Sequence, residues 1–444
     1  MTERVRTWLA QWGPMLPLLL AEGTIWLGFG ALLPILPIYF TQHGVDLPTL
    51  GVVVAAWPAA RLLGEPFFGW VADRASRKRM MMAGLLLASV FAVLPLFIVG
   101  PTAFIVLRGL AGLAAAMYDP AARGYLVDAN PPEKRGEAFG LYNAAQMGGL
   151  MLGPAIGGFA VAITGLATVV FWVAGIALVV SAVLVAFRVP DLQHPAAPAR
   201  DATAEPATAT QPGDAYAPGD AVEPAPADPR LGEARPRRLF NRLLVAAVAF
   251  NLGGYFASGS YEVVWSLYLT SLGASMALIG LTFFSFAFPV LVLSPYFGKH
   301  IDRSGGFVAL VLGLFVVGLC GAAYVLVPEI WFVILVGFIE GTAFAVCSPA
   351  LYLLVARASP PGRSSTAQGI FGAAGTMGTI VAALAAGVLA EADLRYPYIA
   401  TTIGMLAVLG IGLLIGGRRL YDAMQPDHEL RAATPPAGTT VAGA

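Results

Sequence analysis

The sequence has few charged residues and almost no cysteine or histidine. Charged side chains make up 12% of the 444 residues, about half of the roughly 25% that is usual in soluble domains. The two cysteines and four histidines show no metal-ligand or disulfide spacing. The chain contains no phosphate-binding G-x-x-x-x-G-K-S/T motif and no Ser/His/Asp cluster. We therefore expect no enzyme, no metal and no cofactor. Because the formal net charge is zero, we also expect no nucleic-acid partner.

Long apolar runs dominate what the sequence does contain. Hydrophobic residues make up 58% of the chain, more than a soluble core can use, so the surrounding solvent must be lipid. Arg4 and Arg6 precede the first run as in a signal peptide, but no cleavage pattern follows, which predicts a retained helix. Runs of about 20 residues predict twelve spanning helices. Numbered helix 1 to helix 12, they cover residues 14–40, 49–72, 80–99, 103–126, 137–163, 167–187, 239–269, 276–299, 306–327, 330–355, 367–390 and 396–416.

The two halves of the chain repeat one pattern of glycine, proline and charge. The six residues from Gly69 (Gly-Trp-Val-Ala-Asp-Arg) return from Gly298 (Gly-Lys-His-Ile-Asp-Arg), an offset of 298 − 69 = 229 residues. Duplicated apolar bundles are typical of secondary transporters, which place the transport site between the two copies. The same offset links further pairs, among them Gly44 with Gly273, Gly51 with Gly280 and Gly158 with Gly387.

The duplication predicts the fold class and the domain boundaries. We expect an all-α integral membrane protein made of two pseudo-symmetric six-helix bundles, at residues 1–189 and 239–420. Residues 190–238 are rich in Ala and Pro and predict a disordered tether, because such a composition cannot bury a core. Residues 421–444 form a C-terminal tail.

Basic residues predict the orientation in the membrane. Lys and Arg collect after the even-numbered helices, whereas the alternate loops are short and nearly free of them, with Arg395 as the main exception. Because basic loops stay on the cytoplasmic side, we expect both termini and the tether to be cytoplasmic. The expected location is the inner or plasma membrane.

The loop after helix 2 carries a recognisable signature. The ten residues from Gly69 to Lys78 resemble the motif G-x-x-x-D-R/K-x-G-R-R/K of the major facilitator superfamily, although Ser76 replaces the usual glycine. The resemblance covers both halves and implies a cytoplasmic gate. In the family the motif's aspartate lies at the start of helix 11, where the helix dipole favours an anion, and an arginine pairs with an acid at the end of helix 4. The alternative is that these charges reflect only the excess of basic residues in cytoplasmic loops and form no gate. The implied gate residues are Gly69, Asp73, Arg74, Arg77, Asp128, Asp302 and Arg303.

Helix 5 combines small residues with one proline. Small residues let helix backbones approach closely, and proline bends a helix. The spacing is similar to the antiporter motif of proton-coupled drug exporters in this superfamily. The second half has Ala382 and Ala383 at the equivalent of the Gly-Pro pair, an asymmetry that the resemblance implies. Helix packing without directional meaning is the alternative. The motif residues are Gly140, Gly149, Gly153, Pro154, Gly157 and Gly158.

A few ionisable residues fall inside predicted helices and are candidates for proton coupling. A buried carboxyl group favours its protonated form and can exchange a proton near neutral pH. The family lines its central cavity with helices 1, 4, 7 and 10 and assigns the helix 4 arginine to coupling. Arg61 and Glu65, spaced i,i+4, are expected to neutralise each other. The coupling candidates, acids in order of preference, are Glu22, Asp119, Glu340 and Glu262, with Arg108 as the counter-charge.

Aromatic residues on the presumed cavity helices suit a lipophilic or cationic ligand through stacking and cation–π attraction. Membrane helices are rich in aromatics in any case, which is the alternative reading. The candidate cavity residues are Trp26, Phe29, Tyr118, Tyr255, Tyr261, Trp265 and Tyr352.

These features together predict a monomeric secondary transporter that works by alternating access and is driven by a proton gradient. Its expected partners are protons, a small-molecule substrate and the lipid bilayer. Export by antiport is favoured because the helix 5 motif implies it. The alternatives are a metabolite importer or symporter, and a non-transporting sensor that signals through residues 190–238.

Overall fold

The structure, a computed structural model, describes residues 12–72, 74, 76–130, 135–191, 240–359 and 364–425. Within these ranges the chain is helical, and twelve helices are long and apolar enough to cross a membrane. The twelve-helix prediction is therefore confirmed. The helices are α1 (Leu16–Leu32), α2 (Leu47–Ala72), α3 (Arg77–Val93), α4 (Pro101–Ala129), α5 (Arg135–Thr164), α6 (Val169–Arg188), α7 (Arg242–Ser271), α8 (Met276–Ser304), α9 (Phe307–Leu326), α10 (Ile330–Ala358), α11 (Ser364–Ala392) and α12 (Tyr396–Ala423).

The first and last helices differ from the prediction in one respect each. Helix 1 was expected to run unbroken to residue 40, but the chain turns after α1 and resumes as a short helix, Leu36–Gln42. Pro34 explains the turn, because proline has no N–H to donate within a helix. At the other end of the chain, Gly417 adopts φ 51° and ψ −145° and bends α12. Predicted helix 12 ends at the residue before this bend.

Local capping explains where several helices begin and end. Ser76 accepts a hydrogen bond from the Arg79 N–H at the start of α3, and Asn241 accepts two at the start of α7. Gly44 and Gly273, which are equivalent under the 229-residue repeat, take left-handed φ values of 82° and 79°. Gly44 follows the short helix after α1 and Gly273 follows α7, and at such positions glycine ends a helix without strain. The repeat therefore extends to the backbone geometry of the turns.

Contacts between the two halves follow the internal symmetry. Within the halves, α1 packs on α5 and α6, and α7 packs on α11 and α12. Between the halves, α2 packs on α11 and α5 packs on α8. Since α2 is equivalent to α8 and α5 to α11, these two contacts are equivalent under the internal repeat.

The halves meet at only one end of the bundle within the described residues. We call the end that holds the turns at 43–46, 165–168, 272–275 and 393–395 the closed end, and the opposite end the open end. A single buried core joins both halves at the closed end and includes Phe40, Val54, Tyr268, Ile279 and Ala386. The two cores toward the open end each belong to one half.

The exception to the charge pattern, Arg395, is neutralised at the closed end. Its Nη2 lies 2.7 Å from Asp393 Oδ2. The hydrogen bonds from Arg395 lower the pKa of the Asp393 carboxyl to about 2. Asp393 is therefore ionised at any physiological pH, and the pair carries no net charge.

Repeated glycines make the inter-half contacts possible. A β-carbon added at Gly387 would lie 3.0 Å from Gly51 Cα, and one added at Gly158 would lie 2.6 Å from the Met276 carbonyl oxygen. Gly51 and Gly280 are repeat equivalents, as are Gly158 and Gly387. Small residues at these positions let α2 cross α11, and α8 cross α5, backbone to backbone.

Replacing Gly387 by alanine is therefore expected to loosen the closed end. Because the new methyl group meets backbone atoms of α2, it should cost about 1–3 kcal/mol, which lowers the ratio of closed to separated molecules roughly tenfold. A cysteine at Ala55, which is buried in the shared core, should react about tenfold faster with a polar thiol reagent. Cys320 and Cys347 are replaced beforehand. Gly372→Ala on the same helix, where an added β-carbon meets nothing within 4 Å, is the control, and equal rates in both variants would contradict the crossing.

Candidate functional site

Glu22 on α1 is fully buried and is held by neutral donors. Trp26 Nε1 donates to Oε1 at 2.9 Å, and Tyr118 Oη donates to Oε2 at 2.9 Å. Gln146 Nε2 donates to Oε1 at 3.3 Å, and Tyr142 also hydrogen-bonds to this carboxylate. Since none of these four donors carries a charge, Glu22 can gain or lose a proton without breaking an ion pair with them.

The antiporter-like motif brings α5 against α1 and so positions this site. β-Carbons added at Gly149, Gly153 and Gly157 would lie 2.9 Å from Leu27 N, 2.7 Å from Gly30 Cα and 2.9 Å from Ala31 Cα. All three glycines therefore face the backbone of α1. This close packing of α5 on α1 lets Gln146 on α5 reach Glu22. Gly158 faces α8 instead, and the side-chain position of Gly140 lies outside the described residues.

Arg61 on α2 joins two acids into a charged cluster. Its Nη2 lies 2.7 Å from Glu65 Oε1, as the i,i+4 spacing predicts, and also hydrogen-bonds to Asp119 Oδ2 on α4. Its guanidinium lies 4.7 Å from the centre of the Trp57 ring. The link to Asp119 was missed from the sequence, because the two residues are 58 positions apart on different helices. Asp119 thus differs from Glu22, since it is paired with a cation.

Arg108 on α4 forms an ion pair across the two halves. Its Nη2 lies 3.0 Å from Glu262 Oε1 on α7, and the side chains are only 9% and 19% exposed. The pair brings together two of the coupling candidates, one from each half. Because α4 belongs to the first half and α7 to the second, this pair must part if the halves separate there.

Glu340 lies in the second half among aromatic rings. Tyr324 Oη donates to Glu340 Oε2 at 2.5 Å. The ring centres of Trp265 and Tyr324 are 4.8 Å apart, and those of Tyr261 and Tyr398 are 5.4 Å apart. The structure therefore places Tyr261 and Trp265 in a packed cluster of the second half.

A cavity of about 110 Å³ lies inside the first half. Its lining comes from α1, the short helix after it, α2, α3, α4, α6 and the Pro95 turn, and it is mostly apolar. The predicted cavity residues Trp26, Phe29 and Tyr118 line it, and Tyr255, Tyr261, Trp265 and Tyr352 do not. Tyr255 and Tyr352 are exposed instead. The charged and polar residues on its wall are Arg61, Arg108, Asp119 and Tyr118.

The described part of the predicted gate makes contacts within the first half. Arg77 Nε lies 2.9 Å from Asp128 Oδ2 and joins the start of α3 to the end of α4. The Arg74 guanidinium lies 4.1 Å from the centre of the Trp70 ring, and Gly69 approaches Pro120 on α4. Asp73 and the side chains of Asp302 and Arg303 lie outside the described residues. The described residues of the predicted gate lie at the open end, where each half has its own core. A contact of Asp73 with α11 stays a prediction.

Comparisons with known proteins agree with this architecture. The family model of the Major Facilitator Superfamily matches residues 18–261 and 248–438. A solved structure of a bacterial homolog of the human lysosomal transporter Spinster, in an inward-facing and occupied conformation, superposes with a TM-score of 0.70 at 13% identity, over 96% of this chain and 100% of that chain. The nucleoside transporter NupG superposes with a TM-score of 0.64 at 15% identity, over 90% of this chain and 99% of that chain. At these identities the two structures establish the fold alone.

Two curated relatives match shorter stretches of sequence. Quinolone resistance protein NorA of Staphylococcus aureus is 34% identical over 137 residues, which cover 30% of this chain and 35% of NorA. Multidrug resistance protein 2 of Bacillus subtilis is 33% identical over 153 residues, which cover 34% of this chain and 38% of that protein. The matched stretches thus span little more than a third of either relative. The family model, in contrast, covers both halves and shows that this multi-pass membrane protein belongs to the Major Facilitator Superfamily.

Proposed function

We propose that the chain is a secondary transporter that exports small lipophilic or cationic molecules in exchange for protons. One observation carries the proposal: Trp26 and Tyr118 line the cavity and also donate hydrogen bonds to Glu22. A ligand in the cavity therefore touches the side chains that hold the carboxylate. Ligand and proton can then compete, which is what an exchange of one for the other requires.

The chemistry of the cavity supports the substrate class. Phe29 stacks on Trp57 at 5.1 Å, and most of the remaining lining is aliphatic or aromatic. Such walls favour a lipophilic ligand, because aromatic and apolar surfaces are buried together. A positive charge on the ligand would stabilise the ionised form of Glu22 and so expel its proton. The names of the curated relatives, which refer to quinolone and multidrug resistance, support export of drug-like molecules.

The cycle proposed here uses the two ends of the bundle in turn. The open end faces the cytoplasm and admits the ligand while Glu22 is protonated. Loss of the proton and occupation of the cavity precede closure of this end. The closed end then separates, which requires the Arg108–Glu262 pair to part. After the ligand leaves, protonation of Glu22 from outside allows the return step. Asp119, Glu340 and Glu262 are secondary candidates for this role.

The proton gradient supplies enough energy for this cycle. A charge moving across the membrane gains about 2.3 kcal/mol per 100 mV, and each pH unit adds about 1.4 kcal/mol. No cofactor is needed. We place the protein in the cytoplasmic membrane as a monomer with both termini inside, in line with the excess of basic residues after the even-numbered helices.

Vesicles of defined orientation test the direction. We expect inverted membrane vesicles with an acidic interior to accumulate a fluorescent lipophilic cation, and the accumulation to collapse when the pH gradient is dissipated. Accumulation in right-side-out vesicles with an acidic exterior would instead establish the importer. Deleting most of residues 190–238 should leave the flux largely intact. A chain that shows no flux in either orientation but loses a signalling output on this deletion would be the sensor.

A further inference from the structure

The two halves stabilise their open ends in different ways. In the first half, Arg77 at the start of α3 pairs with Asp128 at the end of α4. The 229-residue offset (77 + 229 = 306 and 128 + 229 = 357) places Gly306 and Arg357 at the equivalent positions of the second half. Glycine and arginine cannot form that ion pair with each other. The second half therefore joins these two positions by other contacts.

The C-terminal segment makes this connection. After the bend at Gly417, residues 418–425 fold back onto the open end of the second half. Leu420 and Met424 are 0% exposed and belong to the core of that half. The segment is therefore anchored by its own apolar side chains and is not a free tail.

Hydrogen bonds join the segment to the positions equivalent to Arg77 and Asp128. The Gly306 N–H donates to the Met424 carbonyl oxygen at 2.9 Å. Arg357 Nη1 donates to the carbonyl oxygens of Ala423 at 2.6 Å and Gln425 at 2.7 Å. A cation at the end of a helix also interacts favourably with the helix dipole. Both repeat equivalents of the first-half pair thus bind one short stretch of backbone.

The first half differs in how α3 and α4 are joined. Its segment after α6 contacts the α2–α3 loop, where Ser76 Oγ donates to Asp191 Oδ1 at 3.0 Å. The direct Arg77–Asp128 pair already links α3 to α4. In the second half the link runs through the C-terminal segment.

We propose that residues 418–425 act as a clasp that replaces, in the second half, the ion pair of the first half. The clasp holds the α8–α9 loop onto the end of α10, so that the open end of this half moves as one body when the two halves close on each other. Arg357 is the positioning residue of this clasp. The inference uses the alternation of the two halves, but it does not depend on proton coupling or on the direction of transport.

Two truncations separate the clasp from the rest of the tail. A chain that ends at Gly417 lacks the clasp, whereas a chain that ends at Gln425 keeps every contact described above and is the control. Spin labels on cysteines at Val308 and Ala356, both exposed, report the distance between α9 and α10 in a background without Cys320 and Cys347. We expect the shorter chain to show a broadened distance distribution. Its maximal transport rate should fall about tenfold, which is the effect expected when the hydrogen bonds of one charged group are lost. KM should not change, because the cavity lies in the other half.

Transplanting the first-half pair makes the test specific. In the shorter chain, Gly306→Arg together with Arg357→Asp should narrow the distance distribution and restore most of the rate, while each substitution alone should not. Gly306 has φ −106°, which is open to an arginine, and the Met424 methyl group that would lie 2.5 Å from its β-carbon is absent from the shorter chain. The side chains of Ile301 and Ala350, 3.1 and 3.3 Å away, must shift slightly. If the shorter chain does not fold, Arg357→Gln in the full chain should broaden the same distribution, and Arg357→Lys should broaden it less.

Three results would overturn the clasp: a shorter chain that behaves like the Gln425 control, a transplant that restores nothing, or a loss of thermal stability without any change in distance or rate. Absence of transport in every variant, including the control, together with the expected distances would count against the proposed transport function and not against the clasp.

Discussion

Replacing Glu22 by glutamine is expected to abolish accumulation against a gradient while leaving downhill exchange intact. Glutamine has the same size, can accept the hydrogen bond from Trp26 through its oxygen and can donate to the Tyr118 hydroxyl through its NH2 group, but it has no proton to exchange. For one proton per ligand, a gradient of about two pH units drives roughly 100-fold accumulation, and the uncoupled variant should reach a ratio of about one. The measurement is the internal ligand concentration in reconstituted vesicles with and without the pH gradient.

Glu391→Gln is the matched control for this substitution. Glu391 is an exposed glutamate near the end of α11, so its loss removes one carboxylate without touching the cavity. It should accumulate ligand as the unmodified protein does. Sustained 100-fold accumulation by Glu22→Gln would remove Glu22 from the coupling role and leave Asp119, Glu340 and Glu262 as the remaining candidates.

Replacing Arg108 by methionine is expected to destabilise the closed end strongly. The substitution leaves the Glu262 carboxylate largely buried without its cation. Breaking one partner of a buried ion pair costs about 3–5 kcal/mol, which corresponds to a shift of more than about 100-fold in the ratio of closed to separated molecules. The rate at which a thiol reagent labels a cysteine at Ala55 should rise accordingly.

The double variant Arg108→Met with Glu262→Gln should recover most of this loss, because no uncompensated charge then stays buried. The coupling between the two positions follows from a double-mutant cycle. Arg395→Gln is the control, since it breaks an ion pair at the same end that is exposed to solvent, where such pairs contribute little. If Arg108→Met and the double variant label equally fast, the pair does not hold the halves together.

The fold could be predicted from the sequence because lipid leaves few alternatives. Because lipid cannot hydrogen-bond to the backbone, apolar runs of about 20 residues favour helices, so the runs themselves predict the twelve helices. The repeat pairs Gly51 with Gly280 and Gly158 with Gly387, but it does not indicate that Gly51 and Gly387 meet each other. The break at Pro34 was missed because the run stays apolar on both sides of it.

The site was predictable only where spacing or a motif determines the contact. Arg61 and Glu65 are one helical turn apart, so their pairing follows from helix geometry. Arg108 and Glu262 are 154 residues apart, and their contact depends on how α4 and α7 cross, which no local pattern contains. The clasp is absent from the prediction for a similar reason. In the sequence, residues 421–425 resemble the start of a polar tail, whereas in the structure Met424 lies in the core.

The asymmetry of the two halves follows from residues that the duplication did not preserve. Glu22 and Asp119 correspond to Asn251 and Ser348 in the second half, and Arg108 corresponds to Gly337. The cavity lies where the first half keeps its charges, while the second half fills the corresponding region with the Tyr261–Tyr398 stack. The two halves thus share one scaffold, and the candidate site is formed by residues in which they differ.

The most direct test of the coupling between ligand and Glu22 is proton release by the purified protein in weakly buffered solution. Addition of a lipophilic cation should release close to one proton per bound ligand from the unmodified chain and from Glu391→Gln, and none from Glu22→Gln, although all three bind the ligand. Equal release from the Glu22→Gln protein, or binding without release by the unmodified protein, would contradict the account.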